Sequence, residues 1–218
     1  MTTTPSRADA TRARLLEAAV TAFSEKGFHG TTTRDIAGAA GMSPAAVYVH
    51  HRSKEELLFL ISCQGHQQAL DVVREARAAA PDPVAQVAAV GRAFAAYHAH
   101  HHTVARILNY ELAALSDEHR AVVDELRTSI DRELRDLVRE GVAAGAFDTP
   151  DPALAATALA SLSIDIARWY REDGEWTPDQ IGDYYSDLAL RLVGADPRSS
   201  GTTPVAKPAA SSSRPTSL

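Results

Sequence analysis

Three helix-starting signals crowd together between Thr31 and Leu58, leaving space there for two very short helices followed by a long one. Thr32 with Asp35 three residues later forms a capping box, in which each side chain accepts the other residue's backbone N–H. The short helix it opens is predicted to stop at Gly41. Ser43-Pro44 opens the next: serine caps, and proline takes the first helical position, where a missing N–H costs nothing. Ser53 with Glu56 is a second capping box, opening a long helix to about Ala80, where Pro81-Asp82-Pro83 breaks it. Two helices of about eight residues joined at a tight turn, with Ile36, Ala37 and Ala40 placed to pack on Val47, make a helix-turn-helix.

In that motif the second helix enters the DNA major groove and its N-terminal residues meet base edges. Here it offers Ser43, Ala45, Ala46, Tyr48 and His50, a small and mostly uncharged face. Alanine methyls suit thymine methyls, and the serine, tyrosine and histidine can bond bases or phosphates. Arg34 is the leading candidate for a base or phosphate contact. Thr33 and Lys54 stand at helix N-termini, where backbone N–H groups favour phosphate.

The remaining chain reads as helical throughout. A first helix over about Ala10–Lys26 ends at Gly27, and the body continues with helices near 84–102, 103–114, 118–144, 152–171 and 178–193. No β pattern and no internal repeat is present. Beyond Gly194 the composition turns to Pro, Ser, Thr, Ala and Gly, too poor in apolar side chains to offset ordering entropy, and disorder is expected. The domain division expected is a flexible 1–9, a helix-turn-helix head over 10–52, a ligand-binding and dimerisation body over 53–193, and a disordered tail over 194–218.

Composition narrows the class. Hydrophobic residues at 45% and charged residues at 23% fit an ordinary globular protein, and no apolar run reaches the ~20 residues needed to span a bilayer. Met1–Asp9 is polar and leads into no signal-peptide core. The single cysteine, Cys63, excludes an intrachain disulfide framework, suits a reducing cytoplasm, and reads as a small buried apolar residue. The net charge of −6 sits in the body, leaving the head relatively basic. No pattern calls for a cofactor, and no nucleophile–base set supports an enzyme.

The segment GFHGTTTRDIAGAAGMSPAAVYVHHRSKEEL, behind its first helix, resembles the TetR-family signature without a gap over residues 10–60. His51 departs from that pattern, where the family more often carries Phe. The resemblance implies an all-α fold of about nine helices: a three-helix head that binds operator DNA, and a helical body that binds a small-molecule effector. It also implies a homodimer formed by the last two long helices, about 152–171 and 178–193. Ala155, Ala156, Ala158, Ala160, Ser161 and Ser163 on the first, and Ile181, Tyr184, Tyr185, Leu188 and Leu192 on the second, suit that contact, with intrachain core as the alternative for some.

Segments YHAHHHTVARILNYELAALSDEHR and ARWYREDGEWTPDQIGDYYSDLALRLVG resemble TetR regulators that respond to acyl-CoA thioesters. That resemblance implies an apolar slot lined by Phe94, Tyr97, Ile107, Leu108 and Leu134, with His98 and Tyr110 beside it. Arg168, next to Trp169, and Arg171 would then meet phosphates. The alternative for Arg168 is a salt bridge to Asp165 on its own helix. His98 and His102 stand four apart, a metal-ligand spacing, but without further ligands they read as helix-end or polar-seam histidines. Two further readings remain open at this point, a multidrug-sensing regulator of an efflux gene and a helical interaction protein that binds no DNA.

Overall fold

The computed structural model describes residues 6–195, and among them every regular element is helical. The helices are α1 (Arg7–Gly30), α2 (Thr33–Ala39), α3 (Pro44–His50), α4 (Lys54–Ala78), α5 (Pro83–His100), α6 (His102–Tyr110), α7 (Asp117–Ala143), α8 (Pro152–Trp169) and α9 (Pro178–Leu192). A 3-10 turn, Leu112–Ala114, follows α6. The expected tail falls on residues outside the described ones except Gly194 and Ala195, the last described residues, with Ala195 buried in the core that holds Phe147.

The caps act where the sequence places them. Thr32, Ser43, Ser53, Ser116, Asp151 and Thr177 each accept a backbone N–H at the start of their helix. One start differs from expectation: α1 begins at Arg7 because Ser6 and Asp9 form a capping box that the reading from Ala10 overlooked. At its other end, Gly27 takes φ 69° and ψ 167°, so the continuous α1 helix stops there and only one further turn follows. The tight turn after α2 depends on Gly41, whose φ of 63° is left-handed, while Met42 N–H reaches back to the Ala37 carbonyl at 2.8 Å.

Two large cores result. The first gathers Leu15 and Phe23 of α1, Ile36 of α2 and Val47 of α3 around Leu57, Leu58 and Ile61 of α4. Fully burying side chains of this size contributes about 1.5–3 kcal/mol each. Ile107, Leu108 and Leu112, from α6 and the turn after it, also belong to this core, together with Val123 of α7. The boundary expected between 52 and 53 therefore falls at the start of a helix whose first turns complete the head. The second core joins α4, α5, α7, α8 and α9 around Val87, Val90, Phe94, Leu134 and Leu137.

Helix α5 packs most extensively on α9, and small residues permit the close crossing. A Cβ on Gly91 would stand 2.7 Å from Ala189 Cβ, and one on Gly182 would stand 2.9 Å from the Arg92 carbonyl oxygen. Around that seam Arg92 pairs with Asp183 at 2.6 Å and with Asp179 at 3.3 Å. Helix α9 is thus first an intrachain element. Tyr184, 70% exposed, marks its free face.

Candidate functional site

The head presents one continuous polar and small-residue face. Arg34 is exposed near the start of α2 and, among the described residues, forms no hydrogen bond or ion pair. Ser43, Ala45 and Tyr48 are exposed on α3, with Ala46 and His50 half-buried beside them. The Tyr48 hydroxyl approaches Thr33 Oγ1 at 3.4 Å, so the expected contact residues of α2 and α3 form one surface. Val49, 79% exposed, belongs to the same helix, and an apolar residue gives no local sign in the sequence of facing outward.

Lys54 is the exception. Its ammonium donates to the Phe28 carbonyl at 2.7 Å and the Thr31 carbonyl at 2.8 Å, and lies 4.3 Å from the centre of the Phe28 ring. The ammonium is thus held at the end of α1, on the Thr31 carbonyl and on a Phe28 carbonyl that also accepts the Thr31 N–H. His51 is buried with both ring nitrogens unpartnered, and burial lowers its pKa from the ordinary histidine value.

In the body a cavity of about 480 Å³ lies between α4, α6, α7 and α8, with α5 as its floor. Four expected residues line it: Phe94, Tyr97, His98 and Leu108. The other lining groups are ones the sequence did not single out for a ligand. They include Gly65 and His66 of α4, Asp124, Arg127, Thr128 and Asp131 of α7, and Ala160 and Ile164 of α8. On α7 their spacing of three and four puts them on one face, a polar stripe that in a sequence looks like any solvated surface.

The cavity's polar groups are fixed. The Tyr97 hydroxyl donates to the Gly65 carbonyl at 2.8 Å, and burial pushes its pKa up to about 12. Burial pushes His98 down to about 4 and also lowers His66, so both imidazoles are neutral near pH 7. Each holds its Nδ1 at 2.8 Å from a helix carbonyl, Phe94 for His98 and Ser62 for His66. A carbonyl only accepts, so Nδ1 carries the hydrogen and Nε2 is left as an acceptor. A ligand with an amide or hydroxyl donor meets matching chemistry there.

Five expected ligand contacts lie elsewhere. Ile107 points into the head's core, and Leu134 is fully buried in the body's core, because helical spacing marks an apolar face without saying which neighbour covers it. Tyr110 is 62% exposed. Arg168 is exposed and bonds Asp165 through two nitrogens at 2.7 and 2.8 Å, while Trp169 packs edge-on against Trp176. This is the salt bridge that the sequence left open as the alternative for Arg168. Arg171 is likewise exposed in the loop after α8. His102 is also placed apart from any ligand cluster: its Nδ1 meets the Ala99 carbonyl at 3.1 Å and its ring packs against Tyr170.

Comparison with known proteins meets this geometry from two sides. The family described as bacterial regulatory proteins, tetR family, matches residues 15–61, and the tetracyclin repressor-like C-terminal domain matches residues 80–193. The HTH-type transcriptional repressor KstR2 of Mycolicibacterium smegmatis is 32% identical over 202 residues, covering 88% of this chain and 93% of the relative. A solved tetR-family regulatory protein from Rhodococcus RHA1 is 36% identical with a TM-score of 0.81, covering 88% of this chain and all of that one. AibR, solved in complex with isovaleryl coenzyme A and operator DNA, is 25% identical with a TM-score of 0.75, covering 85% of this chain and all of that one. With a matched head, a matched body and a repressor relative spanning nearly the whole chain, this protein belongs to the TetR family of DNA-binding transcriptional repressors.

Proposed function

We propose that this repressor acts in the cytoplasm as a homodimer and is released from its operator by a CoA thioester held in the α4–α8 cavity. The observation that carries the reading is the shared helix α6. Its Val104, Ala105, Leu108 and Asn109 line the cavity, while Ile107 and Leu108 pack in the head's core. A ligand that displaces α6 therefore acts on the base of the head.

Size and chemistry support a thioester. At about 480 Å³ the cavity falls within the size range of small-molecule sites. That is room for an acyl chain, the thioester and part of the pantetheine arm, leaving the nucleotide at the mouth. The neutral imidazole acceptors match the arm's amide and hydroxyl donors. AibR, solved in one complex with both isovaleryl coenzyme A and operator DNA, is a precedent for thioester binding in this fold.

The DNA-reading surface is Thr33, Arg34, Ser43, Ala45, Ala46, Tyr48 and His50. The dimer forms through the outward faces of α8 and α9, where Leu154, Leu162 and Tyr184 are exposed. Without ligand the two recognition helices stand about 34–36 Å apart, one DNA turn. The thioester must bind the off-state more tightly, since equal affinity would shift nothing. The test is a titration of the dimer–operator complex, followed by fluorescence anisotropy. Micromolar isovaleryl-CoA or a longer acyl-CoA is expected to release the operator while the free acid does not. Release by the acid, or by no thioester, would overturn the assignment.

A further inference from the structure

We propose that Glu111 is the positioning residue through which occupancy of the cavity reaches the reading head. The inference rests on the cavity being the effector site, but not on which effector fills it. Glu111 stands immediately after α6, at the end of the helix whose Leu108 and Asn109 line the cavity. Its Oε1 accepts the Phe28 N–H at 3.1 Å, joining residues 83 positions apart. The same oxygen lies 3.2 Å from where a Cβ on Gly27 would stand. Gly27 is the left-handed break that ends the continuous α1 helix and turns the chain toward α2. Glu111 therefore ties the end of α6 to the break in α1 from which the chain turns toward the two DNA-reading helices.

A second polar arc reaches the same point from the far wall. Asp124 and Arg127 line the cavity and pair at 3.0 Å. The other oxygen of Asp124 accepts from Arg120 Nε at 3.1 Å, and Arg120 Nη1 donates to the Leu112 carbonyl, also at 3.1 Å. Leu112 follows Glu111 directly, so Arg120 steadies the turn that presents the Glu111 carboxylate. A molecule entering the cavity presses on Leu108 and Asn109 from one side and competes for the Asp124–Arg127 pair on the other. Both effects move Glu111 relative to Phe28. Because the contact is directional and already 3.1 Å long, a small shift of α6 breaks it.

Another head–body contact provides the internal control. Glu55 accepts the Ser116 N–H at 3.0 Å and meets His119 Nδ1 at 2.8 Å, tying α4 to the start of α7. Neither Ser116 nor His119 lines the cavity. Loss of Glu55 weakens a head–body tie without interrupting the path from the cavity.

The experiment uses the full-length dimer and its operator, with Ala160→Trp as a built-in occupant because Ala160 lines the cavity from α8. Ala160→Trp is expected to weaken operator binding at least tenfold in the wild-type background and less than threefold in the Glu111→Ala background. Glu111→Gln keeps a carbonyl acceptor and should restore most of the tenfold effect, whereas Glu55→Ala should leave it intact. Should Ala160→Trp fail to fold, Thr128→Trp fills the same space from α7. Amide exchange at Phe28 supplies a separate readout, expected to quicken at least tenfold in Glu111→Ala and little in Glu111→Gln. Equal loss of affinity in both backgrounds, no loss on filling the cavity, or unchanged exchange at Phe28 would each overturn the proposal. If instead isovaleryl-CoA leaves the operator bound while the tryptophan variants behave as described, the effector class fails and the role of Glu111 stands.

Discussion

Lys54 and Phe28 are joined twice, by a 2.7 Å hydrogen bond from the lysine ammonium to the phenylalanine carbonyl and by the same ammonium over the aromatic ring at 4.3 Å. The pair locks the first turn of α4 beneath the end of α1, the joint on which the orientation of α2 and α3 depends. Lys54→Met removes two charge-assisted bonds while keeping the aliphatic stem. A loss of about 1.5–3 kcal/mol in unfolding free energy is expected, read by urea denaturation. Operator affinity should fall with it, but with little change in salt dependence, because the ammonium is held by two backbone carbonyls.

Arg34 predicts the opposite pattern. It is exposed and has no partner among the described residues, so Arg34→Ala should leave the thermal midpoint and the dimer unchanged. Operator affinity should drop at least tenfold. The slope of log affinity against log salt identifies its role: a shallower slope means a phosphate contact, and an unchanged slope with relaxed sequence preference means a base contact.

At His51 a stabilising substitution is available. The imidazole is buried with neither nitrogen bonded, the condition in which a polar group costs most. His51→Phe keeps a flat ring and removes the unpartnered atoms. A gain of about 1–3 kcal/mol is expected in chemical denaturation, with operator binding preserved.

Acid sensitivity should trace to His98. Burial holds its folded-state pKa near 4, whereas in the unfolded chain it titrates near 6.5. Above pH 6.5 both states are neutral and the group contributes no pH dependence. As pH falls from 6.5 toward 4 the unfolded chain takes up the proton first, so stability drops by about 3 kcal/mol across that window. His66 and His51, also lowered by burial, add to the same trend. His98→Asn should flatten the decline of thermal midpoint with acid, and a parallel decline in that variant would place the sensitivity elsewhere.

What could be read from the sequence divides by the range of the interactions involved. Thr32–Asp35 and Ser43-Pro44 act over three or four residues and formed the helix starts they encode. The same holds for Arg168 and Asp165, whose pairing needs nothing beyond one turn of helix. The expected Ser53–Glu56 box is half formed: Ser53 caps the Glu56 N–H, but the Glu56 carboxylate accepts the Arg52 N–H. The cavity is different. Leu134 and Leu108 carry the same apolar signal and are both buried, yet only Leu108 also lines the cavity, and the helices packed across from them decide. Lys54 shows the converse error, since its partners lie 26 and 23 residues back and no local pattern points to them. In α8, Ala155, Ala156 and Ser163 are used inside the chain, while Leu154 and Leu162 remain outward.

The double membership of α6 also bears on how such a protein can change over generations. A substitution at Leu108 alters the ligand space and the foundation of the head together, so drift there risks operator recognition whenever it explores a new ligand. Thr128, Asp131, Ala160 and Ile164 carry no such burden, for they line the cavity but lie outside the head's core. New effector preferences are therefore expected to accumulate on α7 and α8, while α6 stays comparatively still.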